Sequence, residues 1–130
     1  MTDLQRVLYV EDDPDIQDVA VMALEAVAGL TVAPCSSGAE ALAKAVDFAP
    51  DLIVLDVMMP DMDGPTTLIE LRKLPSLADT PVVFVTAKTA SAEINRFMAL
   101  GALTVITKPF DPMRLGEQLK TVWRERVEAG

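Results

Sequence analysis

Short apolar runs alternate along the chain with segments of helical spacing, and this alternation limits the possible folds more than any other feature. The runs are rich in β-branched and aliphatic residues and lie at 7–10, 30–33, 52–55, 82–85 and 103–106. Runs of this length, bounded by polar residues, predict buried strands. Strands that alternate with helices form right-handed crossovers and a parallel sheet covered on both faces. The pattern therefore predicts an α/β fold, a (βα)₅ three-layer sandwich.

The segments between the runs carry signals for helix starts. Caps are predicted at Asp13 with Pro14, at Ser37 with Glu40, and at Asp111 with Pro112. The apolar face of the first helix is predicted to consist of Ile16, Val19, Ala20, Ala23 and Val27. That of the last helix is predicted to consist of Leu115, Leu119, Val122 and Trp123. Two middle helices are expected at about 65–73 and 91–100.

Length and charge narrow the possible functions. The chain has 130 residues, which suits one domain with a sizeable core and leaves no room for a second. With 20 acidic and 11 basic residues its net charge is −9, which repels nucleic acid phosphates and anionic membrane surfaces. Direct nucleic acid binding and membrane association are therefore not expected.

Cysteine, histidine and the N-terminus exclude further classes. The single cysteine, Cys35, has no partner for an internal disulfide and is expected to be buried or half-buried, and the absence of histidine excludes a His-rich zinc site. The N-terminus lacks a basic start followed by an apolar stretch, and no apolar run approaches the length of a membrane span. A cytoplasmic location is expected.

Chemically active side chains lie just beyond four of the predicted strands. Glu11 and Asp12 follow the first strand, Asp56 the third, Thr86 the fourth and Lys108 the fifth. Ligands of open parallel sheets bind outside the carboxyl ends of the strands. We therefore expect these side chains to converge on one edge of the sheet.

These residue types suit phosphoryl transfer with a divalent cation. Clustered carboxylates repel one another unless a hard cation neutralises them, and Mg²⁺ bound by carboxylates and phosphate oxygens meets that need. Asp56 can act as a nucleophile toward phosphorus and form an acyl phosphate. The Lys108 ammonium can offset charge on the transferring oxygens, and the Thr86 hydroxyl can donate to one of them.

Four separated motifs, in the same order, resemble the receiver domains of two-component response regulators. They are the acidic pair Glu11 and Asp12, the segment 52–64 around Asp56, the Val-Thr-Ala sequence at 85–87, and the Lys-Pro-Phe sequence at 108–110. The match spans essentially the whole chain. It implies a flavodoxin-like fold with a five-stranded parallel sheet in the order 2-1-3-4-5. Because the chain ends at Gly130, soon after the fifth predicted helix, a single receiver domain over residues 1–130 with no output domain is expected.

For the metal, the resemblance implies a site at the ends of the first and third strands. Asp12, Asp56 and the backbone carbonyl of Met58 would bind Mg²⁺, and Glu11 would reach it through water. No other cofactor is implied by the resemblance.

For the phosphoryl group, the resemblance implies that Asp56 is the acceptor and that Thr86 and Lys108 hold the oxygens. The bond between Lys108 and Pro109 would be cis, which X-Pro bonds adopt at modest cost. The chain departs from the family at Val105, three residues before the lysine, where Tyr or Phe is usual. Coupling of Thr86 to the surface formed by helix four, strand five and helix five must then use other packing or be weaker.

The same resemblance implies a regulatory protein rather than an enzyme, although it would assist its own phosphorylation and dephosphorylation. A histidine kinase or a histidine phosphotransfer protein would donate the phosphoryl group. A protein target would bind the surface of helix four, strand five and helix five, and a phosphorylation-dependent homodimer is compatible with this interpretation.

Two alternatives remain open from the sequence. A Mg²⁺-dependent phosphatase with an aspartyl-phosphate intermediate usually places a second acid two residues after the nucleophile, and this chain has Met58 there. A degenerate receiver that serves only as a docking or dimerisation module is suggested by Val105 alone. The intact acidic pair, acceptor, threonine and lysine favour the phosphorylated switch over both.

Overall fold

The computed structural model describes residues 3–129, which form one parallel sheet with helices on both faces. The strands are β1 Arg6–Val10, β2 Thr31–Cys35, β3 Leu52–Asp56, β4 Val82–Thr86 and β5 Val105–Thr107. The helices are α1 Pro14–Met22, α2 Gly38–Phe48, α3 Gly64–Arg72, α4 Ser91–Ala99 and α5 Pro112–Ala129. A π-helical turn, Ala23–Val27, continues α1, and a 3₁₀ turn, Pro75–Leu77, follows α3. The strand order is β2-β1-β3-β4-β5, so the predicted α/β sandwich and its order are confirmed.

The predicted caps form, with one difference in detail. The Asp13 carboxylate accepts from two N–H groups of the first turn of α1, and the Asp111 carboxylate accepts from one, that of Met113, at α5. The Ser37 hydroxyl accepts from the Glu40 N–H at 3.0 Å. The Glu40 carboxylate, however, accepts from the N–H of Ser36 rather than from that of Ser37. The reciprocal bond of the capping box is therefore displaced by one residue.

The sheet separates two buried clusters, because neighbouring strand residues point to opposite faces. The cluster beneath α2, α3 and α4 includes Cys35, Ile53, Leu55, Phe84 and Phe97. The cluster beneath α1 and α5 includes Val54, Leu115, Leu119 and Trp123, as predicted for the last helix. No helix within residues 3–129 is long and apolar enough to cross a membrane.

The predicted apolar face of the first helix is partly wrong. Ala20 and Ala23 are buried, but Val19 is 37% exposed and Val27 is 51% exposed. The π-helical turn explains Val27, because bonds that span five residues widen the turn and rotate later side chains away from their α-helical positions. Leu24 is fully buried instead.

The second predicted strand is also corrected. It lies at Thr31–Cys35 rather than at 30–33, and as an edge strand it buries only Val32 and Cys35. Pro34 is compatible with this position because an edge strand does not need every N–H for pairing. The two middle helices, by contrast, begin and end within one residue of their predicted bounds.

Close packing of α5 on the end of the first helix depends on Gly116. A Cβ at this position would collide with the Cβ of Ala28. The Lys120 ammonium donates to the Ala28 carbonyl at 2.7 Å and fixes the same contact. Since the loop after β5 leads directly into α5, this contact helps to position the carboxyl end of β5.

We therefore expect Gly116→Ala to lower the free energy of unfolding by about 1–3 kcal/mol, as overpacked sites do. Urea unfolding followed by circular dichroism measures the change. The double variant Ala28→Gly with Gly116→Ala moves the methyl group to the other helix and should recover most of the loss. Equal stability of the single variant and the original chain would contradict the predicted collision.

Candidate functional site

The carboxyl ends of β1, β3, β4 and β5 lie side by side at one edge of the sheet. Val10 pairs with Leu55, so Glu11 follows β1 beside Asp56 at the end of β3. Asp56 in turn pairs with Val85, the residue before Thr86. The register of the sheet therefore brings together residues that are distant in sequence.

Glu11, Asp56 and Lys108 form an ion cluster in which both carboxylates are buried and the lysine is partly exposed. The Lys108 Nζ lies 2.7 Å from Glu11 Oε1 and 3.1 Å from Asp56 Oδ1. Glu11 is 1% exposed and Asp56 is 4% exposed. Pairs so shielded from solvent are screened little by salt, and removing one partner leaves an uncompensated buried charge.

Asp12 lies beside this cluster and faces solvent. One carboxylate oxygen from each of Glu11, Asp12 and Asp56 lies within 4.8 Å of the others. Three carboxylates face a single ammonium, that of Lys108, so the cluster has an excess of negative charge. Oxygen ligands of this type and charge fit Mg²⁺, which usually binds through one or two carboxylates and retains several waters.

The pKa values of the two buried carboxylates shift in opposite directions. Burial and the neighbouring Glu11 carboxylate raise the pKa of Asp56 to about 7, although Lys108 opposes the shift. Burial also disfavours the charge of Glu11, but hydrogen bonds with Asp56 and Lys108 outweigh it and lower the pKa of Glu11. Burial likewise disfavours the charge of Lys108, yet the two carboxylates raise the pKa of its ammonium. Without metal, Glu11 and Lys108 thus form the ionised pair, and Asp56 holds a proton more readily.

Thr86 is buried at the end of β4, next to Asp56 in the sheet order. Its hydroxyl accepts a hydrogen bond from the Lys88 N–H at 3.0 Å, and its carbonyl accepts from the Lys108 N–H. Ala87 is exposed and small, which leaves the approach to the cluster open. The peptide bond between Lys108 and Pro109 is cis, as the resemblance implied.

Met58 lies in the loop after β3, and its side chain is exposed. Among residues 3–129 no donor is hydrogen-bonded to its carbonyl, which leaves that oxygen available for a ligand. Gly64 closes the loop: its N–H donates to the Val57 carbonyl, and a Cβ there would lie 2.5 Å from the Asp56 carbonyl oxygen. Glycine is required here by close approach of the backbone.

Gln17 supports the site and was not predicted from the sequence. Its side-chain amide donates to the Glu11 carbonyl at 3.1 Å and to the Cys35 carbonyl at 3.0 Å. These bonds tie the acidic segment after β1 to the end of β2. A glutamine on the polar side of a helix gives no sequence signal for such a role.

An apolar cleft adjoins the cluster between α1 and the segment after β5. It has a volume of about 450 Å³ and is lined by Ile16, Val19, Ala87, Lys108, Phe110 and neighbouring residues. The exposed Val19 thus faces a cleft that reaches Lys108.

The family follows from comparison with known proteins. A family model described as the response regulator receiver domain matches residues 7–120. The chain belongs to the response regulator receiver domain family. This family is a regulatory one, and its members include phosphorylation-activated regulators of two-component signalling.

Individual relatives agree with this assignment. The chain is 35% identical over 127 residues to the probable C4-dicarboxylate response regulator DctR of Bacillus subtilis, covering 95% of this chain and 55% of that protein. It is 36% identical over 121 residues to the DNA-binding dual master transcriptional regulator RpaA of Synechocystis, covering 93% and 50%. The chain spans about half the length of the curated relatives that it matches.

Solved receiver structures match nearly the whole chain. The chemotaxis protein CheY4 of Vibrio cholerae is 33% identical with a TM-score of 0.84, and the match covers 92% of this chain and 98% of that one. A CheY-like receiver domain protein from Methanospirillum hungatei is 30% identical with a TM-score of 0.83, covering 98% and 99%. These likenesses support the flavodoxin-like fold of this receiver domain.

The raised pKa of Asp56 predicts a specific dependence of stability on pH in the absence of metal. Between its ordinary value of 3.8 and about 7, the folded protein holds a proton that the unfolded chain has lost. Stability should therefore fall as the pH rises through this window. Urea unfolding at pH 4 to 8 in EDTA, compared between the original chain and Asp56→Asn, isolates this contribution.

The variant should lose that part of the slope and gain stability relative to the original chain above pH 7. Added Mg²⁺ should stabilise the original chain there more than the variant, because it neutralises the buried charge. Parallel curves for the two proteins would show that Asp56 does not titrate in this range.

Proposed function

We propose that this chain is the phosphorylation-activated receiver of a two-component phosphorelay and that Asp56 accepts the phosphoryl group. The observation that carries the proposal is the buried contact of Asp56 with Lys108, beside the carboxylates of Glu11 and Asp12. A nucleophile, an ammonium and a set of metal-ligating oxygens thus share one edge of the sheet. This is the minimum set of groups for transfer of a phosphoryl group to a carboxylate.

In the proposed reaction, a carboxylate oxygen of Asp56 attacks the phosphorus of a phosphohistidine. An O–P bond forms as the N–P bond breaks, and the electron pair of the broken bond remains on the imidazole nitrogen. The Lys108 ammonium, 3.1 Å from Asp56, offsets charge on the transferring oxygens. The Thr86 hydroxyl donates to one of those oxygens.

The metal site is assigned by the proposal to Asp12, Asp56 and the Met58 carbonyl, with Glu11 acting through water. Glu11 is already paired with Lys108 at 2.7 Å, which supports an indirect role for its carboxylate. When bound, Mg²⁺ supplies positive charge for the transferring phosphoryl oxygens and lowers repulsion among the carboxylates.

The partners follow from the same chemistry. The phosphoryl donor is a histidine kinase or a histidine phosphotransfer protein, and the output is binding of a protein target at the face of α4, β5 and α5. The net charge of −9 supports a protein target rather than direct binding to nucleic acid. A phosphorylation-dependent homodimer and the cytoplasmic location stay predictions.

Neither alternative has comparable support. A phosphatase would need a general acid at Met58, and a thioether cannot donate a proton. A purely structural docking module would not need two buried carboxylates, Glu11 and Asp56, in contact with Lys108. Turnover of p-nitrophenyl phosphate that is lost in Asp56→Asn would favour the phosphatase.

Acetyl phosphate with Mg²⁺ should add a single phosphoryl group, an increment of ~80 Da, to this protein. Intact-mass spectrometry measures the increment, and borohydride trapping followed by peptide mapping should place it at Asp56. Asp56→Asn should abolish labelling, whereas Asp47→Asn, at an exposed position of α2, should not change it. Labelling that persists in Asp56→Asn would contradict the assignment.

Lys108→Met should slow labelling by acetyl phosphate on the order of 10²-fold, since it removes a preorganised charge from the transferring oxygens. Lys108→Arg should restore little, because a planar guanidinium cannot replace a compact ammonium in a buried contact. Labelling rates, measured by mass spectrometry of samples quenched at successive times, distinguish these outcomes. An unchanged rate in Lys108→Met would leave Lys108 with a structural role only.

A further inference from the structure

The Gln17 side chain bridges the ends of β1 and β2 at the point where the pairing of these strands stops. The last pair of residues is Val10 with Cys35. Just beyond it, the Glu11 N–H donates to the Cys35 carbonyl at 2.9 Å. The Gln17 Nε2 donates to that same carbonyl at 3.0 Å and to the Glu11 carbonyl at 3.1 Å. The side chain therefore adds one bridge to the ladder after the strands end.

Both donors of this side-chain amide are used on the two carbonyls. A glutamine NH₂ group carries two donors, and the Ser36 Oγ lies farther away, at 3.4 Å. Among residues 3–129 the Glu11 carbonyl accepts no other hydrogen bond. The backbone N–H of Gln17 meanwhile donates to the Asp13 carbonyl at 2.9 Å. One residue of α1 thus holds the segment 11–13 at both of its ends.

Asp12 lies in the middle of this segment and depends on it for its position. Its side chain is exposed, and in the part of the chain that the structure describes its carboxylate forms no ion pair. One of its oxygens nevertheless lies within 4.8 Å of oxygens of Glu11 and Asp56. The Glu11 carbonyl belongs to the peptide that joins Glu11 to Asp12. The bond from Gln17 therefore fixes the orientation of the backbone that directs Asp12 toward the cluster.

The other two carboxylates of the cluster have supports of their own. The Glu11 carboxylate contacts the Lys108 Nζ at 2.7 Å and accepts from the Asp13 N–H at 3.3 Å. Asp56 belongs to β3 and contacts Lys108 at 3.1 Å. Loss of the Gln17 amide should therefore disturb Asp12 more than either of its neighbours.

We propose that Gln17 is a positioning residue for the divalent cation, which raises the affinity of the site for Mg²⁺ by fixing the peptide before Asp12. This inference rests on the proposed function, because it needs the cation to bind at Asp12 and Asp56. Gln17 acts through the main chain of Glu11 and not through contact with the cation. Hydrogen bonds that orient metal ligands in this way typically change metal affinity by about tenfold to a hundredfold.

Titration with MgCl₂, followed by NMR of the backbone amides of the segment 11–13, tests this inference. Gln17→Met keeps the length of the side chain and removes both donors. Its dissociation constant for Mg²⁺ should be about tenfold to a hundredfold higher than that of the original chain. Labelling by acetyl phosphate should be slower at limiting Mg²⁺ but should reach the original rate at saturating Mg²⁺. Gln118→Met makes the same substitution at an exposed position of α5 and should change neither quantity.

Urea unfolding of the metal-free proteins separates positioning from general support of the fold. A Gln17→Met variant that is less stable but binds Mg²⁺ as tightly as the original chain would overturn the inference. Labelling that stays slow at saturating Mg²⁺ would also overturn it, since the defect would then lie outside metal binding. Gln17→Ala favours the helix and should show the same loss of affinity, so the test does not depend on one variant. Absence of Mg²⁺ binding by the original chain would instead contradict the proposed function.

Discussion

The contact of Lys108 with two buried carboxylates is the interaction on which the site depends. It joins positions 97 residues apart, since Glu11 follows the first strand and Lys108 the last. A pair so distant in sequence forms only when the sheet has its complete order and register. The ion cluster therefore depends on the pairing of β1 with β3, of β3 with β4 and of β4 with β5, and an error in one of these pairings would leave a charge buried without its partner.

Without a bound cation, the same cluster is electrostatically unfavourable. Three carboxylates and one ammonium leave an excess of negative charge, which burial makes costly and which raises the pKa of Asp56 to about 7. A bound cation would relieve this repulsion and leave Asp56 ionised. In the proposed function, affinity for metal and reactivity toward phosphorus thus have one physical origin. Gly64 and Gln17 hold the backbone close enough to maintain it.

The sequence could predict the sheet and the site because both follow from patterns repeated along the chain. Continuous apolar runs indicated central strands, and the residues just beyond them had to meet at one edge. Val27 was mispredicted because an α-helix and a π-helical turn share the same apolar spacing until the turn begins at Ala23. Likewise, the bond from Ser36 to Glu40 and the two bonds of Gln17 depend on tertiary geometry that spacing does not encode.

The edge of the sheet at Asp56 and helix α4 differ in how firmly they are attached to the rest of the fold. The edge of the sheet at Asp56 is fixed by buried charge, by the close approach of the backbone at Gly64 and by capped helices on either side. Helix α4 has one buried anchor and no cap, so changing its position disturbs little of the core. The segment before it is held to β4 by the hydrogen bond from the Lys88 N–H to the Thr86 hydroxyl, and one such bond contributes only about 1 kcal/mol.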